Sequence, residues 1–269
     1  MTNPGKLMII GGGEDKKNEK IILKEFVRLA GGDSAKIVIM TCATNLPEEV
    51  AKEYTDVFEE IGGSSIKVAT LDIRERSQAN APEAVETLLD ATGVFFTGGS
   101  QLQLVRSIGG TKIDTVLHDL YDKGLIIAGT SAGASMMSSV MIIEGSTGET
   151  ATVGLTTLGG GLEFLRGVIV DQHFAQRGRT HRLISAIARY PHFLGIGIDE
   201  DTALIVCDTL CNVIGQGSIT ILDAGGVAEG IPDKNIDDSE NISISGIKLH
   251  LLSSGSRFDL RNRINVKNV

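Results

Sequence analysis

The sequence has no tryptophan, and only three tyrosines and eight phenylalanines among its 269 residues. Its core must therefore be built from Ile, Leu, Val and Ala. Cysteine is also scarce. Cys42, Cys207 and Cys211 cannot all pair, and no second Cys/His cluster lies near Cys207 and Cys211 to complete a zinc site. Three reduced thiols in a cytoplasmic protein are expected. Positive charge is in deficit, with 25 Lys and Arg against 34 Asp and Glu and a net charge of -9. An acidic chain repels phosphate backbones, so no nucleic-acid partner is expected, whereas a cationic substrate is tolerated. The N-terminal apolar run, 7–10, is too short for a signal peptide and leads into glycines and charges. Residues 125–143 lack any charge and approach membrane-span length. Thr130, Ser131, Ser135, Ser138 and Ser139, with Gly129 and Gly133, favour instead a buried strand, a sharp turn and a helix, so no membrane partner is expected. There is no fixed-period repeat and no low-complexity tract.

Glycine, in contrast, is abundant: 33 residues without a collagen-like period point to many tight turns. The first half alternates short apolar runs at 6–10, 36–40, 66–71, 94–97 and 125–128 with amphipathic stretches. One of these carries Ile22, Phe26 and Leu29; two others open on Pro47 and Pro82. Continuous apolar strands between helices imply a mostly parallel sheet covered on both faces. Beyond residue 140 strands predominate, at 141–143, 167–170, 194–198, 203–206, 218–222 and 247–252, interrupted by a helix over 179–189. Segment 229–241 is expected as an exposed loop. Length alone suggests about two domains, but the connections in the first half leave no room for a second. A single α/β domain over residues 1–269, β-rich toward its C-terminal part, is the expectation.

The most specific local pattern is Gly129-Thr130-Ser131-Ala132-Gly133, which fits G-x-S-x-G between an apolar strand and a plausible helix. Small neighbours let the backbone bend and let substrate approach the hydroxyl, while a helix N-terminus adds a positive dipole and unpaired N–H groups. Such a turn also occurs for packing alone. A nucleophilic Ser131 needs a base. His118 is expected on a surface helix, His181 in an Arg-rich helix start, His192 in a turn, and His250 inside a late strand. His173 differs, because it ends the strand Val168-Ile169-Val170-Asp171-Gln172-His173. Glu200 likewise follows Gly195-Ile196-Gly197-Ile198-Asp199. Sites in open parallel sheets form at C-terminal strand ends. Ser131, His173 and Glu200 each could simply cap a strand, but together they form a candidate constellation. Their order departs from the Ser–acid–His order of α/β-hydrolases. That order would require Ser131, Asp171 or Glu200, and His250.

Two glycine turns add to this. Thr97-Gly98-Gly99-Ser100-Gln101 opens a helix, and its N–H groups, at Gly99, could form an oxyanion hole with Ala132. Gly11-Gly12-Gly13-Glu14-Asp15-Lys16 lacks both the dinucleotide fingerprint and the P-loop lysine, so a turn near the site is expected. Arg177, Arg179 and Arg182 then fall within six residues. Such a run is ordinarily a solvated helix start. Arginine is disfavoured at helix N-termini, however, and the chain is otherwise acidic. Recognition of substrate carboxylates by this cluster is therefore expected.

On Gly11–Glu14, Thr97–Gln101, Gly129–Ala134, Asp171–Arg182 and Gly197-Ile198-Asp199-Glu200-Asp201-Thr202-Ala203, the chain resembles the S51 serine peptidases, a family of cyanophycinases and aspartyl dipeptidases. The Asp-Gln-His-Phe and Gln-Arg-Gly-Arg segments favour the cyanophycinase branch. The resemblance runs from about residue 6 to 222. It implies a three-layer αβα fold like the class I glutamine amidotransferases, flavodoxin-like, with serine in place of cysteine at the elbow. It implies exolytic hydrolysis of cyanophycin, a polyaspartate with arginine on each β-carboxyl, to β-Asp-Arg dipeptides. An aspartyl dipeptidase acting on short β-aspartyl or Asp peptides and a non-catalytic binding module are the alternatives. The resemblance further implies Ser131 as nucleophile, His173 as base, Glu200 as its orienting acid, and Gln101, Asp171, Gln172, Arg177, Arg179 and Arg182 as substrate contacts. Acyl transfer at serine requires neither metal nor organic cofactor, so none is expected. Members are often dimeric, and a homodimer stays open here.

Overall fold

The computed structural model describes residues 5–147, 150–227 and 237–267. Five strands form the parallel half of a nine-stranded sheet: β1 (Lys6–Ile10), β2 (Lys36–Met40), β3 (Lys67–Leu71), β4 (Gly93–Phe96) and β5 (Ile126–Thr130). They are linked by α1 (Ile21–Leu29), α2 (Pro47–Gly62), the short α3 (Arg76–Ala79), α4 (Pro82–Leu89), α5 (Gln101–Ile108) and α6 (Lys112–Tyr121). The helix expected after β5 is a single turn, α7 (Ala132–Ser135). Then come β6 (Val140–Gly145), β7 (Thr156–Gly160), β8 (Val168–Asp171), α8 (Thr180–Arg189), β9 (Leu194–Ile198), β10 (Thr202–Cys207), β11 (Leu210–Gly215), β12 (Ser218–Asp223), β13 (Lys248–Ser253), β14 (Arg257–Asp259) and β15 (Ile264–Val266). The main sheet runs β15-β14-β11-β10-β1-β5-β4-β2-β3, with its antiparallel half beginning where β10 joins β1.

Strand alternation explains the layers. Leu7 and Ile9 of β1 face one side, with Val38, Met40, Val94, Phe96 and Ile127, where α4, α5 and α6 pack through Leu88, Leu104, Ile108, Ile113 and Leu117. Met8, Ile10, Ile37, Ile39, Phe95 and Ala128 face the other, covered by α1 and α2. Four of the few aromatic rings, Phe26, Tyr54, Phe58 and Phe95, gather on that second side with centroids 4.7–6.0 Å apart.

A second, four-stranded sheet, β13-β12-β9-β8, was not anticipated as a separate sheet. It packs on the α4–α6 side through Val168, Val170, Ile196, Ile198 and Ile219. Helix α8 closes its outer face with Leu183, Ala186 and Ile187 against Ile169 and Leu222. Strands β8 and β9 are parallel neighbours, so the loops after them emerge side by side. Of the expected loop 229–241, residues 229–236 lie outside the described residues, and 237–241 are exposed. Among the described residues no helix is long and apolar enough to cross a membrane.

Candidate active site

The turn between β5 and α7 is tight. Ser131 adopts φ 53 and ψ -110, a backbone region that L-residues reach only under strain. Its N–H is anchored by the Ile10 carbonyl at 3.1 Å. The flanking glycines are sterically required, since a Cβ on Gly129 would stand 2.2 Å from the Gly133 carbonyl oxygen. Strain held by this packing keeps Ser131 presented at the sheet edge.

His173 reaches the same point from the second sheet. It follows β8 with φ 47, and its N–H donates to the Gly11 carbonyl at 2.8 Å. Its Nε2 lies 2.9 Å from Ser131 Oγ, and its Nδ1 lies 2.6 Å from Glu200 Oε1. Glu200 follows β9 and is held by its N–H donating to Gln176 Oε1 at 3.1 Å. The loop after β1 packs under both residues. Gly12 carries φ 95, and a Cβ there would come within 2.3 Å of His173 Cε1, so only glycine leaves room for the imidazole. The Gly12 carbonyl also accepts from the Asp201 N–H at 2.9 Å. Burial holds the His173 pKa below its ordinary value of 6.5. The Glu200 hydrogen bond opposes that shift, and the charges of Arg177 and Arg179 add to it. A neutral imidazole with Nδ1 bonded to a carboxylate leaves Nε2 able to take a proton from Ser131.

The structure thus brings Ser131, His173 and Glu200 together. It does not bring in His250, which sits on β13 edge-on to Phe258 at 5.0 Å. Ala132 directly follows Ser131. On the facing turn, a Cβ on Gly98 would stand 3.9 Å from Ser131 Oγ, while Gly99, at φ 139, presses toward the Ala43 carbonyl. Among the described residues, no protein acceptor pairs with the N–H of Ala132, Gly98 or Gly99.

The arginines behave differently from one another. Arg182 is 5% exposed and grips Asp171, itself 1% exposed. Its Nε donates to Oδ2 at 2.9 Å and its Nη2 to Oδ1, while Nη1 reaches the Gly145 carbonyl at 3.1 Å. Arg179, also buried, donates through Nη1 to Asp171 Oδ1 at 3.3 Å, to Gln172 Oε1 at 2.8 Å and to the Gln172 carbonyl. Burial, with Arg182 and Arg177 nearby and Asp171 opposing, lowers the Arg179 pKa to about 10. The structure ties Asp171, Gln172, Arg179 and Arg182, expected as substrate contacts, to one another. The carboxylate that Arg182 reads is the chain's own Asp171, because a buried guanidinium requires a buried counter-charge. This cluster braces the segment that carries His173. Arg179 retains one buried donor, Nε, with no partner among the described residues. Arg177 alone is exposed and has no side-chain hydrogen bond or ion pair among them. Gln101 spends its amide nitrogen on the Ile142 and Ile143 carbonyls, at 3.0 and 2.6 Å, leaving its oxygen for a ligand.

Glu14 escaped sequence reasoning. This buried carboxylate accepts from Thr130 Oγ1 at 2.6 Å and from the Tyr54 hydroxyl, tying the β1 loop to the residue before Ser131. A carboxylate directly after three glycines at the end of an apolar strand was the available signal. His118, expected at the surface, is half-buried and stacks on Phe164 at 4.2 Å, because residues 162–164 fold over α6.

A hydroxyl on a strained strand-to-helix turn, an imidazole against it and a carboxylate behind the imidazole, at the edge of a three-layer α/β sheet, make up a serine hydrolase. The profile of Peptidase family S51 matches residues 7–214, and the chain belongs to that family. It is 39% identical over 259 residues to a cyanophycinase from Nostoc sp. (strain PCC 7120 / SAG 25.82 / UTEX 2576), covering 96% of this chain and 86% of that protein. A cyanophycinase from Geminocystis herdmanii (strain PCC 6308) is 37% identical over 255 residues, 94% of this chain and 93% of that one. Among solved structures, a peptidase from an acI-B1 Actinobacterium superposes with a TM-score of 0.66 at 21% identity, over 95% of this chain and 97% of that chain, and so shares the fold.

Proposed function

We propose that the chain is a cyanophycinase, a serine-type exopeptidase that hydrolyses multi-L-arginyl-poly-L-aspartate to β-Asp-Arg dipeptides. The observation that carries this reading is similarity to cyanophycinases across nearly the whole chain, at 37–39% identity. In this mechanism Ser131 Oγ attacks the scissile carbonyl carbon as His173 Nε2 takes its proton. Glu200 holds the imidazole by Nδ1 and stabilises the imidazolium. The N–H of Ala132 and those of the Gly98–Gly99 turn meet the oxyanion. His173 returns the proton to the departing amine, an acyl group remains on Ser131, and a water activated by the same imidazole releases it. Each substrate unit carries one carboxylate and one guanidinium, because arginine is joined through its amine. Arg177, with the remaining donor of Arg179 and the oxygen of Gln101, supports recognition of these groups. The whole chain acts as one catalytic domain. Its three unpaired cysteines suit a reducing, cytoplasmic compartment.

The test is incubation of the pure protein with cyanophycin and identification of the soluble product, alongside Ser131→Ala. Release of β-Asp-Arg by the wild type is expected, with loss of about 10⁶ in kcat for the variant at unchanged circular dichroism. Cleavage of α-Asp dipeptides alone would assign the dipeptidase activity instead.

A further inference from the structure

A groove of about 570 Å³ lies outside the Ser131 site, lined by Arg74, Glu75, Arg76, Ser100, Gln103 and Arg106 among others. Three arginines converge there in a chain whose net charge is -9. Their commitments differ. Arg74 is bound internally, through Nε to Asp72 Oδ2 at 2.9 Å and through Nη1 to the Thr44 carbonyl at 2.6 Å. Arg76 uses only Nη1, on the Gly109 and Arg106 carbonyls, at 2.6 and 3.3 Å. Arg106, exposed on α5, has no side-chain hydrogen bond or ion pair among the described residues. Glu75, exposed beside them, makes no ion pair among the described residues; its side chain accepts from Ser77 Oγ at 3.3 Å and from the backbone in the turn that opens α3. The groove thus offers cationic donors with unused capacity beside one carboxylate.

Its position links it to the reaction. The groove is built from the segments after β3 and β4, and Ser131 follows β5, so both lie at the same C-terminal edge of the parallel sheet. The Gly98 turn that touches Ser131 runs directly into Ser100, which lines the groove and caps α5 by accepting from the Gln103 N–H at 3.2 Å. Along the order β5-β4-β2-β3, three strand spacings of about 4.8 Å separate the two ends, roughly 14 Å. An extended peptide spans that in about four residues.

We infer that this groove is a remote subsite for the polymer. Arg106 and Arg76 pair with an arginyl carboxylate four or more units from the scissile bond, and Glu75 pairs with the guanidinium of the same stretch. The inference rests on the cyanophycinase reading and deepens it: the chain should favour long substrates over short ones.

The experiment compares kcat/KM on purified β-Asp-Arg oligomers of two units and of about eight units, for the wild type, Arg106→Glu and Arg106→Lys. The two-unit substrate is too short to reach the groove. Loss of one partly solvated charge pair, with repulsion added, should lower the long-to-short ratio about tenfold in Arg106→Glu. Arg106→Lys keeps the charge without the planar fork and should fall between. The wild-type ratio should also shrink as salt rises from about 0.02 to 0.5 M, because exposed charges are screened. A ratio within twofold of wild type in Arg106→Glu, or a wild-type ratio indifferent to salt, overturns the subsite while leaving the cyanophycinase reading in place. A wild type that cleaves neither oligomer overturns both.

Discussion

Arg182→Lys separates a bracing arginine from a substrate-reading one. In the native chain the Arg182 guanidinium spans both oxygens of buried Asp171 and also donates to the Gly145 carbonyl at 3.1 Å. A lysine ammonium at the end of a thinner stem cannot hold three acceptors set in a planar fork. Two of three charge-assisted bonds are lost, at about 1.5–3 kcal/mol each, while Arg179 still neutralises part of Asp171. A net destabilisation of about 2–4 kcal/mol follows, which for a chain of this size lowers Tm by roughly 5–15 °C. Because the braced segment leads into His173, kcat/KM should fall to the same extent on the two-unit and the longer oligomers. Urea and thermal unfolding followed by circular dichroism read the first effect, and paired kinetics the second. Arg177→Lys is the internal comparison: the side chain is exposed, so stability should move by less than about 0.5 kcal/mol while substrate KM rises. An Arg182→Lys protein with unchanged Tm and a loss confined to long substrates would refute the bracing argument and return Arg182 to the substrate.

Two further outcomes follow from the imidazole. Since His173 must be neutral to accept a proton and its pKa is held below 6.5, the acid limb of kcat/KM should have its midpoint below 6.5, and Arg177→Ala, which removes a neighbouring positive charge, should move that midpoint upward. The same depressed pKa means that the unfolded chain binds the proton more readily. This group's share of stability is therefore complete above 6.5 and declines as pH falls toward the folded value. Gly12→Ala should lower kcat by about 10² or more with only a modest fall in Tm, because the new Cβ, 2.3 Å from Cε1, must push the imidazole off its 2.9 Å contact with Ser131. Wild-type kcat in that variant would show that the loop yields instead.

The parallel half of the main sheet could be read from the sequence because its physics is local. A strand buried on both faces needs consecutive apolar residues, as in Lys36–Met40, and a covering helix needs apolar spacing after a start signal such as Pro47 or Pro82. The candidate site was legible for a related reason: strained glycine turns and polar residues at strand ends are local marks. Strands β7 and β11 were missed because Thr156–Gly160 and Leu210–Gly215 lack a run of buried side chains. The partition of strands between two sheets could not be seen either. Val168–Asp171 and Leu194–Ile198 read as buried strands whichever sheet receives them, and only their mutual parallel register places His173 beside Glu200.

The arginine cluster shows where sequence reasoning runs out. Net acidity and three nearby arginines do imply a carboxylate partner, and that inference was sound as electrostatics. What spacing cannot reveal is that the segment after Asp171 folds back, through the Arg179 N–H donating to the Phe174 carbonyl at 3.1 Å, and so returns Arg182 to a residue eleven positions earlier. A charge cluster in a sequence therefore specifies the sign of its partner, while burial decides whether that partner belongs to the chain. By that criterion Arg177 beside His173 and Arg106 farther along the sheet edge, both exposed and without a side-chain partner among the described residues, are open to a substrate that carries a carboxylate on every unit.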